Sequence, residues 1–536
     1  MNDPRRDEYS STSWAFTPVW TSRRWLVCAA LLWLGCSAVY FLTAPGRIDM
    51  FDGGIRHDVT ASLIDRGVPA VRDPAVPGLP GRGGLRYAWY ELGSSISAIP
   101  FVLVGSRLGH GSLEAKQFAF SMTSVPFAAG VVALVFLIYG RLGCSVARAL
   151  NWSFVVAFCT LLWPYAGSSF DAALQAFWLT LAVWAAVEAL APARGPLGWA
   201  AVSGAAFAAL VNIQEAYVLL AGSVVAVYPF TTSMLRQRLA NRAVSVIGAG
   251  LLAGVLLVFA ANAFRYGNPL ETGRVITGGD IPVFGNPVIG LFGLFFSPAK
   301  SILLYSPTVV LALIGLRRLL TQDPERFIPI PACLVIHLAI VSSLRFWAGE
   351  WAWGPRYLVA TLPLASLGLP FAWRKGERRG LERGVSVLVC GAGLIVQLLA
   401  ISVDHQRYYF ERSLEPFFWR DEAKMYTGSP LLARPGELAA VLSGRDLPLA
   451  RAFVPSPRPL SMTSSIFGPP PNRNAPEWMR EYLVFLVPRP WPLWSRYLPK
   501  QYRPGPTRRM TVIGCVIAVA SFGGLVIARA ASAREN

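Results

Sequence analysis

Two acids and two cations carry the chemistry legible in this sequence: Asp52 and Asp171 could take or orient a proton, and Arg356 and Lys300 could receive an anion. Asp52 stands in Phe51-Asp52-Gly53-Gly54-Ile55-Arg56-His57-Asp58, inside a polar stretch that follows the first apolar run. That stretch gathers Asp49, Asp52, Asp58, Asp65, Asp73 and Glu91 in a chain otherwise poor in acids. Gly53-Gly54 frees the backbone just after Asp52. From Ile55 the residues Ile55, Val59 and Leu63 form one stripe, and Arg66-Gly67 is a helix stop. Asp52 is therefore expected just ahead of a short amphipathic helix on a membrane surface. A loop acid is ordinarily only solvated, but acids in unusual surroundings concentrate at reaction sites. Asp171, behind Ser168-Ser169-Phe170, is either the N-cap of the next helix or a second reactive acid.

The tryptophans of Arg345-Phe346-Trp347-Ala348-Gly349-Glu350-Trp351-Ala352-Trp353-Gly354-Pro355-Arg356-Tyr357 read as an interfacial belt. Glu350 gains nothing at a lipid interface, which marks it as a substrate-binding candidate. Arg356, directly behind Pro355, is expected at a helix start, where backbone N–H groups also favour an anion. Lys300, behind Phe296-Ser297-Pro298-Ala299, suits a lipid phosphate and equally suits a lysine snorkelling from a span end. Arg56 and Tyr90 complete the substrate-binding set. Among the loop acids, Asp49 is expected to tolerate substitution. His57 and His405 are expected to face outward, and His337 to be hydrogen-bonded within a span. No cysteine–histidine spacing marks a metal site.

The elements that must position these residues are membrane helices. The chain has 536 residues, of which 54% are hydrophobic and only 15% charged, with a mean hydropathy of +0.45. That composition is of a polytopic, all-α membrane protein. The net charge of +19 comes from arginines clustered in short connections between apolar runs. Membrane topology demands this pattern, and it argues against nucleic acid as a partner.

Residues 25–44 make the first span, with residues 1–24 cytoplasmic. Leu92–Leu108 holds Ser94, Ser95, Ser97 and Pro100, and the signs of the later clusters decide its course. If it does not cross, Arg141 and Arg148, Arg236 to Arg242, Arg317 to Arg326 and Arg374 to Arg383 all lie inside. Eleven more spans then follow, about twelve in all. They run near 118–139, 149–165, 172–192, 197–211, 215–230, 243–262, 300–316, 327–344, 355–373, 384–403 and 510–528, with both termini cytoplasmic. Residues 45–117 form a first outer loop with surface helices, within a multi-span domain over 25–403. Residues 404–509, rich in proline and tryptophan, are expected to lie across the outer face as a lid or skirt. Residues 510–536 form the last span and tail. On this topology Asp52, Asp171, Lys300, Glu350 and Arg356 all fall at the outer boundary and almost no charge lies mid-membrane, where ion-coupled transporters place theirs.

The order and sidedness of four segments resemble the membrane-embedded glycosyltransferases of the C-type (GT-C) fold. These segments are Asp52 with the helix Arg56–Arg66, the juxtamembrane Leu92–Leu108, Ser169-Phe170-Asp171, and Gly354-Pro355-Arg356-Tyr357. That superfamily includes protein O-mannosyltransferases, the lipid A aminoarabinose transferase and the catalytic oligosaccharyltransferase subunit. The resemblance covers residues 20–400. It implies transfer of a sugar from a polyprenyl-phosphate donor to a glycan, lipid or protein acceptor on the outer face of a bacterial inner membrane, with an acid of the first loop at the catalytic centre. Two features depart from the mannosyltransferase-like pattern. Asp52-Gly53 stands where those enzymes have an acidic pair, and Trp89-Tyr90-Glu91 replaces their His-Pro-Pro. A divalent metal and the acceptor class are left open by this. The competing classes are a transporter or flippase of a lipid-linked saccharide and a non-catalytic subunit of an envelope-assembly complex.

Overall fold

The computed structural model describes residues 19, 22–49, 51–74, 76, 78–189, 196–222, 238–273, 283–322, 324–349, 351–373, 379–403, 408, 428–443, 494 and 505–534. Within them the chain is a helical bundle with one two-stranded hairpin. Among the described residues six helices are long and apolar enough to cross a membrane: Arg23–Thr43, Ala115–Arg141, Ala172–Ala189, Arg242–Tyr266, Gly380–Ser402 and Arg508–Ala530. Shorter apolar helices accompany them at Leu92–Leu108, Val146–Phe158, Leu197–Ile213, Pro287–Phe296, Pro329–Ser343 and Leu362–Phe371.

In chain order, α1 (Arg23–Thr43) leads into α2 (Phe51–Arg66), which carries Asp52 in its first turn. The hairpin β1 (Leu79–Pro80) and β2 (Arg86–Tyr87) follows, then α3 (Leu92–Leu108), α4 (Leu113–Ser121) and α5 (Ser124–Arg141). Next come α6 (Val146–Phe158), α7 (Leu162–Ala166), α8 (Ala172–Ala189), α9 (Pro196–Ile213) and α10 (Arg238–Tyr266).

Three expected spans are broken. The run 149–165 stops at Phe158 and resumes as the one-turn α7, and 300–316 is interrupted at Ser306-Pro307. The run 355–373 is a chain of short turns punctuated by Pro363, Gly368 and Pro370. Proline removes a helical N–H and clashes with the preceding turn, so the breaks at Ser306-Pro307 and along 355–373 fall at prolines, while the one after Phe158 lies a turn ahead of Pro164 inside α7. Gly53 and Gly54, expected to release the chain ahead of a helix, lie inside α2 instead.

The core sits on α5 and α8, where Phe136, Tyr139 and Trp184 are buried, while α10 and the helices Arg379–Ser402 and Gly505–Arg534 turn apolar side chains outward. Leu252, Leu256, Val387, Leu388, Val519 and Ile527 are among those exposed. Such a surface is what lipid covers.

The bundle has two chemically different ends. At one, Arg141 grips Glu188 bidentately at 2.8 and 2.6 Å, Arg24 donates to the Ala528 carbonyl, Arg148 to that of Pro370 and Arg318 to that of Ala372. At the other, Tyr165 Oη donates to the Trp353 carbonyl at 2.9 Å, Ser429 Oγ to that of Pro298 at 2.7 Å, and the Trp494 indole to that of Phe41 at 2.7 Å. Asp52 belongs to this second end. So do both ends of α3: Gly93 abuts the Asn212 carbonyl, and Lys116, beyond α3, faces Asp65 of α2 at 4.0 Å. The serines of α3 explain its polarity. Ser95 Oγ donates to the Arg56 carbonyl at 3.1 Å, and Thr60 Oγ1 donates to those of Arg56 and Ser95.

Of the segment expected as a lid, residue 408, residues 428–443, Trp494 and residues 505–509 are described; the rest of 404–509, like residues 1–18, lies outside the described residues. Its helix Pro430–Leu442 docks through the buried Arg434, which donates to the Val403 carbonyl at 2.6 Å.

The position of the loop after α3 yields a test of sidedness. A cysteine at Ser112, the N-cap of α4, should react with an impermeant thiol reagent in intact cells. Labelling only after lysis would invert the orientation.

Candidate active site

The polar end of the bundle is built by four segments that meet around two acids. α2 supplies Asp52 and Arg56 on one face, four residues and about one turn apart. The segment between β2 and α3 supplies Tyr90, the loop before α8 supplies Phe170 and Asp171, and the turn after Pro355 supplies Arg356 and Tyr357. Tyr90 Oη donates to Asp52 Oδ1 at 2.6 Å. Arg356 Nη1 lies 3.9 Å from Asp52 Oδ2. Arg56 Nη2 donates to Asp171 Oδ2 at 2.9 Å, and its guanidinium lies 4.5 Å above the Tyr90 ring. Arg356 sits 4.3 Å above the ring of Phe170, the residue before Asp171, and donates to Tyr357 Oη at 3.1 Å. The set closes on itself: two carboxylates, two guanidiniums and a phenol, with no net charge.

None of these groups is lost in the interior. The Asp52 and Asp171 side chains keep 20% and 14% of their exposure, against 11% for Arg356 and 8% for Arg56. Arg56 retains two buried donors, Nε and Nη1, with no hydrogen-bond partner among the described residues. An unpaired buried donor is costly, so an anion arriving beside Arg56 would relieve a cost already present.

Beside this group, the sequence reading of Asp49 needs correction. Asp49 is buried: its Oδ1 accepts from the Ser169 N–H at 2.7 Å and its Oδ2 from Ser168 Oγ at 2.9 Å. The Asp49 N–H in turn donates to Ser169 Oγ at 3.3 Å. These bonds lash the approach to α2 onto the loop that ends in Asp171. Gly53 lets the two come close, since a Cβ there would stand 2.6 Å from Ser169 Cβ. The sequence predicts a conformational role for Gly53; contact is the constraint observed.

Other placements differ as well. His57 is buried edge-on against Phe120 at 5.4 Å rather than facing outward. Burial, with Arg72 and Lys116 adding to it, pulls its pKa down to about 3 and keeps it neutral. Asp58 accepts the backbone N–H groups of Arg72 and Asp73 and braces its own loop. Burial pushes its pKa up while those bonds pull it down. Arg356 opens a five-residue 3-10 helix, too short to lend a helix terminus to an anion. Asp171 stands at the N-cap position of α8, but its side chain goes to Arg56. Lys300 is fully buried and donates to the Ala352 carbonyl at 2.7 Å. Glu350 lies outside the described residues, as does His405. Within its span, His337 Nδ1 meets Thr361 Oγ1 at 3.2 Å. The structure thus brings Asp52, Arg56, Tyr90, Asp171 and Arg356 into one group, with Lys300 committed to a backbone carbonyl.

Neither a protein-family profile nor a curated protein sequence matches the chain. Among solved structures, it is similar to the crystal structure of ArnT from Cupriavidus metallidurans bound to undecaprenyl phosphate. Identity there is 13% over 95% of this chain and 77% of that one, with a TM-score of 0.49. The apo form of the same protein gives 12% identity over 93% and 76%, with a TM-score of 0.47. An oligosaccharyltransferase from Archaeoglobus fulgidus, tethered to an acceptor peptide, gives 11% identity over 77% of this chain and 59% of that one, with a TM-score of 0.43. At these identities and TM-scores the likenesses assign neither a family nor an activity.

The bonding of Asp49 makes it a structural acid. Asp49→Asn would take the charge from both bonds, leaving the Ser169 N–H a neutral amide oxygen and turning an NH2 group toward Ser168 Oγ. A loss of about 2 kcal/mol is expected, read as lower thermal stability of the purified protein in detergent. Wild-type stability would show that the lashing to Ser168 and Ser169 is not needed.

Proposed function

We propose that this protein is a membrane-embedded glycosyltransferase. It moves a sugar from a polyprenyl-phosphate donor to a hydroxyl-bearing acceptor (glycan, lipid or protein) at the outer face of the membrane. The observation that carries the reading is the meeting of Asp52, Tyr90, Arg56, Asp171 and Arg356 at the boundary of an apolar bundle. A soluble sugar donor would need no such place, whereas a lipid phosphate lies at that depth.

The chemistry follows from the groups. A polyprenyl phosphate leaves as a weakly basic anion, so no strong acid need protonate it. The acceptor oxygen forms a bond to the anomeric carbon as that carbon's bond to the phosphate oxygen breaks. The acceptor's proton passes to Asp52 Oδ2, while Tyr90 holds Oδ1. The departing phosphate is received by Arg356 and by the unpartnered donors of Arg56. Asp171 fixes Arg56 and, through it, the plane against which Tyr90 lies. Holding donor and acceptor in line could supply roughly 7–11 kcal/mol in the ideal case.

A divalent cation is not needed to balance that charge, and the donor set among the described residues does not fit one. Among the described residues no three His, Cys, Asp or Glu side chains come together, and both site carboxylates already face guanidiniums. In this reading the two arginines supply the positive charge.

Asp52→Asn keeps the shape of the side chain but cannot accept a proton. Transfer from a purified polyprenyl-phosphate sugar should fall on the order of 10²–10⁴-fold, with donor binding within a few-fold of wild type. Full transfer by Asp52→Asn would remove Asp52 as the base. A wild-type protein that moves the lipid across liposomes without cleaving it would make the chain a transporter.

Arg356→Ala should weaken donor use far more than Arg345→Ala, because Arg356 faces Asp52 while Arg345 is engaged through its backbone with Val283. Equal, small effects on the donor KM would leave Arg356 a mere anchor.

A further inference from the structure

A fully buried guanidinium that touches none of the reacting groups lies behind the site. Arg265, in the last turn of α10, is 0% exposed. Its Nη1 donates to the carbonyl oxygens of Ala88 at 3.0 Å and Tyr90 at 2.7 Å. Its Nη2 donates to Asn262 Oδ1 at 2.6 Å and faces Glu91 Oε2 at 3.5 Å. The guanidinium lies 5.2 Å from the centre of the Tyr266 ring, and Tyr266 Oη donates to the same Ala88 carbonyl at 2.8 Å. The chain from Ala88 to Glu91 is therefore fastened at three successive points to the end of one membrane helix.

Burying a charge costs several kcal/mol even when it is paired, so a loop that needed only to be held down would be held by apolar contact. The planar fork of arginine does what other side chains cannot: it meets two carbonyls two residues apart with one rigid group. One of those carbonyls belongs to Tyr90. With the backbone of Tyr90 fixed at that point and its ring under Arg56, the phenol has little freedom left, and its Oη falls on Asp52. We infer that Arg265 is a positioning residue: it fixes Tyr90, and through Tyr90 the carboxylate of Asp52, without contacting substrate. Asn262 orients Arg265, and Glu91 balances its charge. The inference deepens the glycosyltransferase reading and rests on it.

The test uses the full-length protein and the polyprenyl-phosphate sugar assay. Arg265→Met should lower kcat on the order of 10–100-fold, as small misplacements of reacting groups do, with the donor KM within a few-fold of wild type. Arg265→Lys, able to reach one carbonyl, should recover part of that loss. Tyr90→Phe should cost a similar factor, and adding it to Arg265→Met should cost nothing more, because both act through one hydrogen bond. A raised KM at unchanged kcat, or losses that multiply in the double variant, would overturn the inference. Hydrogen exchange, read by mass spectrometry, needs no activity and covers the case in which Arg265→Met folds poorly. Exchange over residues 86–92 should rise in Arg265→Lys while that over α5 stays at the wild-type rate. Unchanged exchange at 86–92 overturns the clamp whatever the enzyme does. A rise there in a protein whose wild type transfers no sugar would sink the glycosyltransferase reading and leave the clamp without a reaction to serve.

Discussion

Charge pairing at the edge of a low-dielectric bundle is the constraint on which the site depends. Arg56 and Asp171 are 115 residues apart and meet at 2.9 Å. Each would be expensive to bury alone, since an uncompensated charge costs several kcal/mol. Their pairing therefore forces α2 against the start of α8. Once α2 is there, Asp52 lies one turn from Arg56 and needs its own partners, which arrive as Tyr90 and Arg356 from two other segments. A neutral set of two acids and two arginines results. It can stand empty without a counter-ion, and it has two arginine donors to offer to an incoming anion.

Close packing makes the pairing geometric. Ser169 comes within reach of α2 because residue 53 has no side chain, and the same serine accepts from and donates to the Asp49 backbone and carboxylate. Gly349, at φ +67°, plays the matching part on the opposite wall, where a Cβ would stand 2.8 Å from Arg356 Cγ. Tyr165 fixes the Trp353 carbonyl just ahead of Gly354-Pro355-Arg356. Each charged side chain in the site is thus approached by a backbone that is itself bonded, so the ion pairs inherit the rigidity of the bundle rather than that of loops.

Much of this was legible in the sequence, and what was not has identifiable causes. Hydrophobic runs and arginine clusters gave the helical membrane architecture, because span length and charge placement are properties of the chain read locally. That Asp52, Asp171 and Arg356 fall at one boundary could be expected from the order and sidedness of their segments, as it was for Lys300 and Glu350. Partner choice within the group could not. Asp49 and Asp52 both read in the sequence as loop acids three residues apart, and only the position of Ser168 and Ser169 decides that one is a brace. Lys300 reads equally as a phosphate ligand or an anchor until the Ala352 carbonyl is placed against it. Arg265 was missed because an arginine in the last turn of an apolar helix reads as an interfacial anchor. The cue for it was weak: Asn262 one turn earlier on the same face, and an acid at Glu91 in a segment otherwise aromatic.

The broken spans show why so polar a group can exist at the mouth of so apolar a bundle. Helices that ran unbroken to the boundary would satisfy their own backbones and leave few carbonyls for side chains. The interruptions at Ser306-Pro307 and around Gly354-Pro355, with the short turn after Phe158, leave carbonyls and N–H groups unused by helix. Side chains take them up: Gln397 donates to the Tyr305 carbonyl, Lys300 to that of Ala352, Tyr165 to that of Trp353, and Ser306 Oγ accepts from the Leu161 N–H. Backbone satisfaction is compulsory in an apolar medium, so each break requires a polar partner nearby. Those partners tie the aromatic turn ahead of Arg356 into the bundle. The polarity that receives Asp52 is thus in part a consequence of where the prolines stop the helices.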